Sequence, residues 1–337
     1  MFSYSEDVSN KQTNKNTMKN KILATLVAFG LVGSVSAIEI NDNLSVNGFI
    51  DGSVNKISNT TLNGGDTANW GLDEIELNFL LNAGSVSGQI ALDSQNIGTG
   101  NDDIEIEQAH FTYSLDNGVS FTFGRYGSLA GLEREDPSGL YTYSRAYANN
   151  SFNLGDIDNG KSAEGLRISY SADAWTLSAS LENPSGTVRT TGVNTKNDLD
   201  YEVALNYTGI ENLNLNVGYF KDNQNIAANE IDVVNVNATY QAGKALLGAE
   251  YTEASVSTGD LDAMLLLVDY DVSDKLGVAV RYSTYEQSTN IDVNKITIAP
   301  NYAITESLGA ILEYSDTSHD SANMDSDEIA LELTYTF

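Results

Sequence analysis

The 337-residue chain contains no cysteine, three prolines and two histidines. Without cysteine there can be no disulfide framework and no thiolate metal site. Two histidines leave little room for imidazole chemistry. Cationic side chains are scarce as well: 17 Lys and Arg stand against 47 Asp and Glu, for a formal charge of −30. Such an acidic chain is a poor partner for nucleic acid or an anionic lipid surface. Long hydrophobic runs are nearly missing. The one that stands out, from Ile22 to Val32, is too short to cross a membrane as a helix. There is no G-x-S-x-G, no P-loop and no H-E-x-x-H. His110 (in QAHFTYS) and His319 (in TSHDSA) each lack a recognisable partner motif, so no enzyme is expected and no cofactor is implied.

What is present is organised. The short apolar run follows a basic start at Lys19 and Lys21 and precedes the small residues Val35-Ser36-Ala37. That is the layout of a secretory signal peptide. Residues 1–37 therefore read as a leader whose working start is Met18, with residues 1–17 a polar extension, and the mature chain as 38–337.

Beyond the leader, 28 Gly and 18 Tyr with few prolines suit many strands joined by polar turns. Alternation runs almost throughout. Leu213, Leu215, Val217 and Tyr219 interleave with Asn214, Asn216 and Gly218. A period of two makes a strand with one apolar and one wet face. The pattern predicts sixteen strands, near 44–55, 72–82, 85–94, 104–115, 118–125, 164–172, 174–182, 199–208, 211–221, 230–241, 244–254, 260–271, 274–286, 291–304, 306–316 and 326–337. Misreading the weak segments at 85–94 or 104–115 would make them fourteen or eighteen. Tight turns such as Ala242-Gly243 alternate with longer polar loops. Short turns on one rim and long loops on the other are the rhythm of a transmembrane β-barrel, which can leave no open edge in lipid.

Tyrosines mark both rims. Tyr113, Tyr170, Tyr207, Tyr240, Tyr270, Tyr302 and Tyr335 fall toward the short turns, and Tyr219, Tyr251, Tyr282 and Tyr314 toward the long loops. Aromatic girdles at the two membrane–water interfaces would look like this. A soluble β-sandwich, with cross-strand tyrosine packing, is the competing fold.

The signal peptide, the sixteen-strand rhythm, the tyrosine girdles and the terminal TYTF together resemble a Gram-negative outer-membrane porin. The resemblance covers the whole mature chain, as a pattern without a long diagnostic motif. It implies an all-β, closed antiparallel barrel in the outer membrane, with passive diffusion of small hydrophilic solutes and ions through a water-filled lumen. It implies a homotrimer as well. It further implies that Tyr335 and Phe337 form the signal read by the barrel-assembly machinery.

One segment is far longer than the other loops, about 126–163, after the fifth expected strand. It carries leucines and tyrosines, so it is not simply disordered. By resemblance it is the loop that folds into the lumen and narrows it. Its charges, Glu133, Arg134, Glu135, Asp136, Arg145, Asp156 and Asp158, with Arg167 and the more distant Arg281, are the candidate constriction. Opposed carboxylates and guanidinium groups would set a transverse field, and an acidic excess would favour cations. The same charges could equally be ion pairs that pin the loop to the wall. Arg125 shares parity with Phe121 and Phe123, so a bulge or strand end is expected to reorient it. No twelve-residue calcium loop with glycine in register appears, and no metal site is expected. Two other barrel functions stay open. One is a sugar-selective channel lined by Tyr141, Tyr143 and Tyr147. The other is a plugged structural or adhesin barrel.

Overall fold

The computed structural model describes residues 37–59, 66–95, 97, 104–133, 136–147, 162–183, 199–222, 231–256, 259–287, 291–320 and 325–337. Apart from Ala37, the expected leader lies outside the described residues, as do Arg134, Glu135, Asp156 and Asp158.

The described chain is almost entirely strand. The elements are β1 (Ile38–Asn41), β2 (Leu44–Asn59), β3 (Thr67–Ala83), β4 (Val86–Gln95), β5 (Glu105–Ser114), β6 (Val119–Gly127), β7 (Ser162–Ser171), β8 (Trp175–Glu182) and β9 (Asp200–Tyr207). They continue as β10 (Leu213–Asp222), β11 (Ile231–Ala242), β12 (Ala245–Val256), β13 (Gly259–Asp271), β14 (Leu276–Gln287), β15 (Ile291–Ala303), β16 (Leu308–His319) and β17 (Ser326–Thr336). From β2 to β17 each strand pairs antiparallel with the next, and β17 returns to β2. The result is a closed barrel of sixteen long strands, each matching one expected from the alternation. The edge-free sheet satisfies its backbone internally, which the hydrocarbon requires.

The short β1 has no counterpart among the expected strands. It pairs with β2 through Ile38↔Val46 and Asn41↔Leu44. Its neighbour on the same edge of β2 is the end of β17, where Thr336 faces Phe49. Between them, Phe337 and Gly48 exchange both backbone bonds, at 3.0 and 3.1 Å. So β17 and β1 line up, one after the other, as a composite closing strand along β2. Four residues carry too short a pattern to be read in advance.

Four of the short turns carry a residue in the left-handed region: Gly84, Gly118, Asn212 and Gly243. Between β11 and β12 only Gly243 and Lys244 intervene, and Gly243 has a φ of 63°. In β6 the register passes through Arg125 unshifted, pairing it with Ala109 and Glu164. The expected bulge is therefore not there. Gly124, at a φ of 129°, supplies the backbone irregularity just before Arg125.

The outer face is apolar. Leu166, Ile168 and Tyr170 on β7, and Leu266, Val268 and Tyr270 on β13, are exposed in the isolated chain. Bilayer covers such a band in a membrane barrel. Toward the long loops, four tyrosine hydroxyls donate across to the next strand. Tyr219 reaches Asp232 at 2.5 Å, Tyr251 reaches Asp262 at 2.5 Å, Tyr282 reaches Asn294 at 2.7 Å and Tyr314 reaches Asp327 at 2.5 Å. The girdle thus repeats every second strand, with ring toward lipid and hydroxyl toward a polar partner.

Candidate functional site: a loop stitched across the lumen

The segment after β6 turns inward and runs along the inside of the wall. The wall provides an apolar bed for it. On β13, Leu261, Ala263, Leu265 and Leu267 point inward and are buried, although the outward residues Leu266 and Val268 are apolar too. Ala130, Ala146 and Tyr147 of the loop pack into the same cluster, with Phe220, Val233, Ala279 and Ile311. Burying these groups supplies roughly 1.5–3 kcal/mol for each large side chain.

Polar stitches then fix the path. Glu202 on β9 accepts from Ser128 Oγ at 2.7 Å and from the Leu129 amide at 2.8 Å. Arg167 on β7 donates to Gly127 O at 2.7 Å, forms an ion pair with Glu202 at 3.2 Å and stacks over the Tyr126 ring at 4.2 Å. Asn235 and Glu250 accept from the amides of Gly131 and Leu132. Each is a backbone N–H that would otherwise be buried unsatisfied, a costly outcome.

Arg281 on β14 is the central anchor. It is 0% exposed. Its Nη1 lies 2.6 Å from Glu133 Oε1, 2.8 Å from Thr142 Oγ1 and 2.6 Å from Ser144 O. Glu133 accepts the Ala146 amide with its other oxygen, at 2.7 Å, and its backbone oxygen accepts from Arg145. Glu313 on β16 accepts from both the amide and the hydroxyl of Ser144, while Lys295 donates to that hydroxyl at 2.6 Å. Tyr143 reaches β2, where its hydroxyl accepts from Ser53 at 3.2 Å and Asn55 at 3.3 Å. Burial pushes the Tyr143 phenol up to about 12, so it stays neutral at ordinary pH.

Between these anchors the inward segment also meets β3. Asp136, at the start of the short 3-10 turn Pro137–Gly139, comes together with Glu74 and Glu76 of β3. Asp93 and Glu107 are close enough to act electrostatically on Glu74, as is the cation Arg145. Glu74 and Glu107 remain half-exposed.

The structure therefore divides the described candidates in two. Glu133, Arg145, Arg167 and Arg281 gather in contacts that hold the loop to itself and to the wall. Asp136 sits with the wall carboxylates Glu74 and Glu76. The partners Glu202, Glu250 and Glu313 come from separate strands. Sequence could mark them only as inward-facing acids, because pairing with a loop 73 to 169 residues away leaves no local pattern. Of the three loop tyrosines, Tyr147 is buried in the apolar cluster and lines no water path. Tyr141 borders a cavity of about 340 Å³ near the short turns, shared with Lys244, Asp269 and Lys275. Tyr143 is tied to β2. They do not form an aromatic row.

A closed, lipid-faced barrel with a loop folded against its inner wall is the architecture of a transmembrane channel. The chain belongs to the Gram-negative porin family, whose profile matches residues 23–322. It is an outer-membrane protein that serves diffusion. A search of the curated proteins finds no match. Solved structures share the fold at low identity. An anion-selective porin from Comamonas acidovorans is 13% identical with a TM-score of 0.68, covering 87% of this chain and 99% of its own. The outer membrane channel DcaP of Acinetobacter baumannii is 14% identical with a TM-score of 0.68, covering 90% and 100%. Salmonella typhi OmpF, solved with daunomycin, is 16% identical with a TM-score of 0.63, covering 89% and 100%.

Proposed function

We propose that this porin is a cation-preferring channel for small hydrophilic solutes, moved only by their own gradients, and that it performs no catalytic step. One observation carries the preference. Arg167 and Arg281, which could have balanced the pore electrostatically, are committed to Glu202 and Glu133. Glu74, Glu76, Asp136 and Glu107 remain as a carboxylate group where the loop passes β3. Arg145 opposes them, as Arg125 does at Glu107, but Arg145 is also bonded to the Glu133 backbone. A ring of net negative charge in a narrow water path raises local cation concentration. Selectivity is a property of such side chains and not of the barrel, so an anion-selective porin with the same fold is no obstacle.

We also propose a homotrimer with outer-membrane lipid around it, inserted by the barrel-assembly machinery through Tyr335 and Phe337. One structural neighbour, OmpT of Vibrio cholerae, is described in a trimer form. The site reading is tested by reversal potential across a planar bilayer in a KCl gradient, with EDTA present. A potential on the cation side is expected, moving toward zero in Glu74→Gln/Glu107→Gln. An anion-side potential would overturn the reading. Inserted, folded protein without current would favour a plugged barrel instead.

A further inference from the structure

Glu74, Glu76 and Asp136 bring three carboxylate oxygens within 4.8 Å of one another. Two of these residues share the inner face of β3, and the third belongs to the loop. Three like charges this close need a counter-ion or a proton. Glu76 shows which oxygen is left for it. The residue is 2% exposed. Its Oε1 accepts from Asn78 Nδ2 at 2.5 Å, and Asn78 Oδ1 accepts in turn from Gln89 Nε2 at 2.9 Å. The relay from Gln89 through Asn78 fixes the carboxylate's orientation, as outer partners do around metal ligands. Glu76 Oε2 is buried and meets no hydrogen-bond donor, although the same carboxylate faces Glu74 and Asp136.

We propose that Glu74, Glu76 and Asp136 bind one hard divalent cation, with calcium favoured, which clips the constriction loop to β3. Oxygen ligands lie about 2.3–2.6 Å from Ca²⁺, so two on opposite sides of it are about 4.6–5.2 Å apart. Three oxygens within 4.8 Å of one another can all reach such an ion. Mg²⁺ needs a tighter octahedral set at about 2.0–2.1 Å. Water in the lumen would complete the coordination. The site shares the constriction with the reading above but does not depend on its cation preference. Occupancy would cancel part of the negative charge and hold Asp136 against the wall, lowering K⁺ conductance.

The test is calcium titration by calorimetry on the full chain in detergent, with folding of each variant checked by its heat-modifiable gel mobility. Wild type is expected to bind one Ca²⁺ per chain more tightly than Mg²⁺. Glu76→Gln and Asp136→Asn should each weaken it at least tenfold. Asn78→Ala, which touches no ion, should weaken it by about tenfold through loss of orientation. Asp262→Asn at the girdle should change nothing. No binding by wild type, or binding that folded Asp136→Asn retains in full, overturns the site. The reversal potential measured in EDTA is unaffected by either result, so the two readings fail separately.

Discussion

Glu133 and Arg281 are separated by 148 positions in the chain and by 2.6 Å at Oε1 and Nη1. The guanidinium is wholly enclosed. A buried pair adds little net stability over an apolar substitute, but removing one partner strands the other, at a cost of about 3–5 kcal/mol. Here that cost would fall on loop docking, because Arg281 binds Thr142 and Ser144 as well.

Glu133→Gln is therefore expected to leave the barrel inserted and loosen the loop. Single-channel recordings should show larger and noisier conductance than wild type, with a similar gel shift for the folded barrel. Glu133→Gln/Arg281→Met removes both charges and should recover part of the quiet state. If Glu133→Gln alone were silent, the pair would not anchor the loop.

The inner face of β13 offers a second handle on the same loop. Leu265 is 0% exposed and packs in the cluster that receives Ala130, Ala146 and Tyr147. Leu265→Ala should cost about 2–5 kcal/mol. It should raise conductance noise without changing the ion pair. Because Leu265 and Glu133 act on one docking event, the double variant should show less than the sum of the two effects.

β13 also shows what the sequence could tell and what it could not. Strands were legible because alternation is local: Leu213, Leu215 and Val217 point one way and Asn214 and Asn216 the other. In β13 the alternation fails over Ala263–Val268, where both faces are apolar. That failure was a readable sign that something apolar covers this stretch of the inner wall. Which segment covers it was not readable, since Ala130 and Tyr147 lie over a hundred residues away. Charges behaved likewise. Glu133 and Arg281 could be assigned to the lumen, but whether they faced water or each other depends on loop path. The Glu74–Glu76–Asp136 group joins strand and loop across 60 positions, so no motif announces it.

The tyrosine girdle makes a graded prediction. Tyr251→Phe removes one hydroxyl bond, to Asp262. A single bond contributes about 0.5–1.5 kcal/mol, and this one is exposed, so the effect should lie at the low end. Replacing Tyr219, Tyr251, Tyr282 and Tyr314 together by Phe should lower the unfolding midpoint in urea with vesicles present, roughly additively, because the pairs sit on separate strand pairs. Conductance should stay unchanged. A change in conductance would place these tyrosines in the permeation path instead of the lipid interface.

The last prediction concerns closure. Gly48 exchanges two backbone bonds with Phe337, and a Cβ added there would meet Glu76 O at 2.2 Å and the Phe337 ring at 3.0 Å. The first contact is with backbone, so strand β3 must move to admit it. Gly48→Val should weaken both the β2–β3 pairing and the closing seam, and lower the yield of folded barrel during refolding in detergent. Deleting Phe337 removes the two bonds without any clash. It should cost less in purified refolding, yet reduce insertion in cells more if Phe337 is also the assembly signal. The ratio of the two losses decides the point. Equal losses in both settings would leave Phe337 with a structural role at the seam and none in recognition.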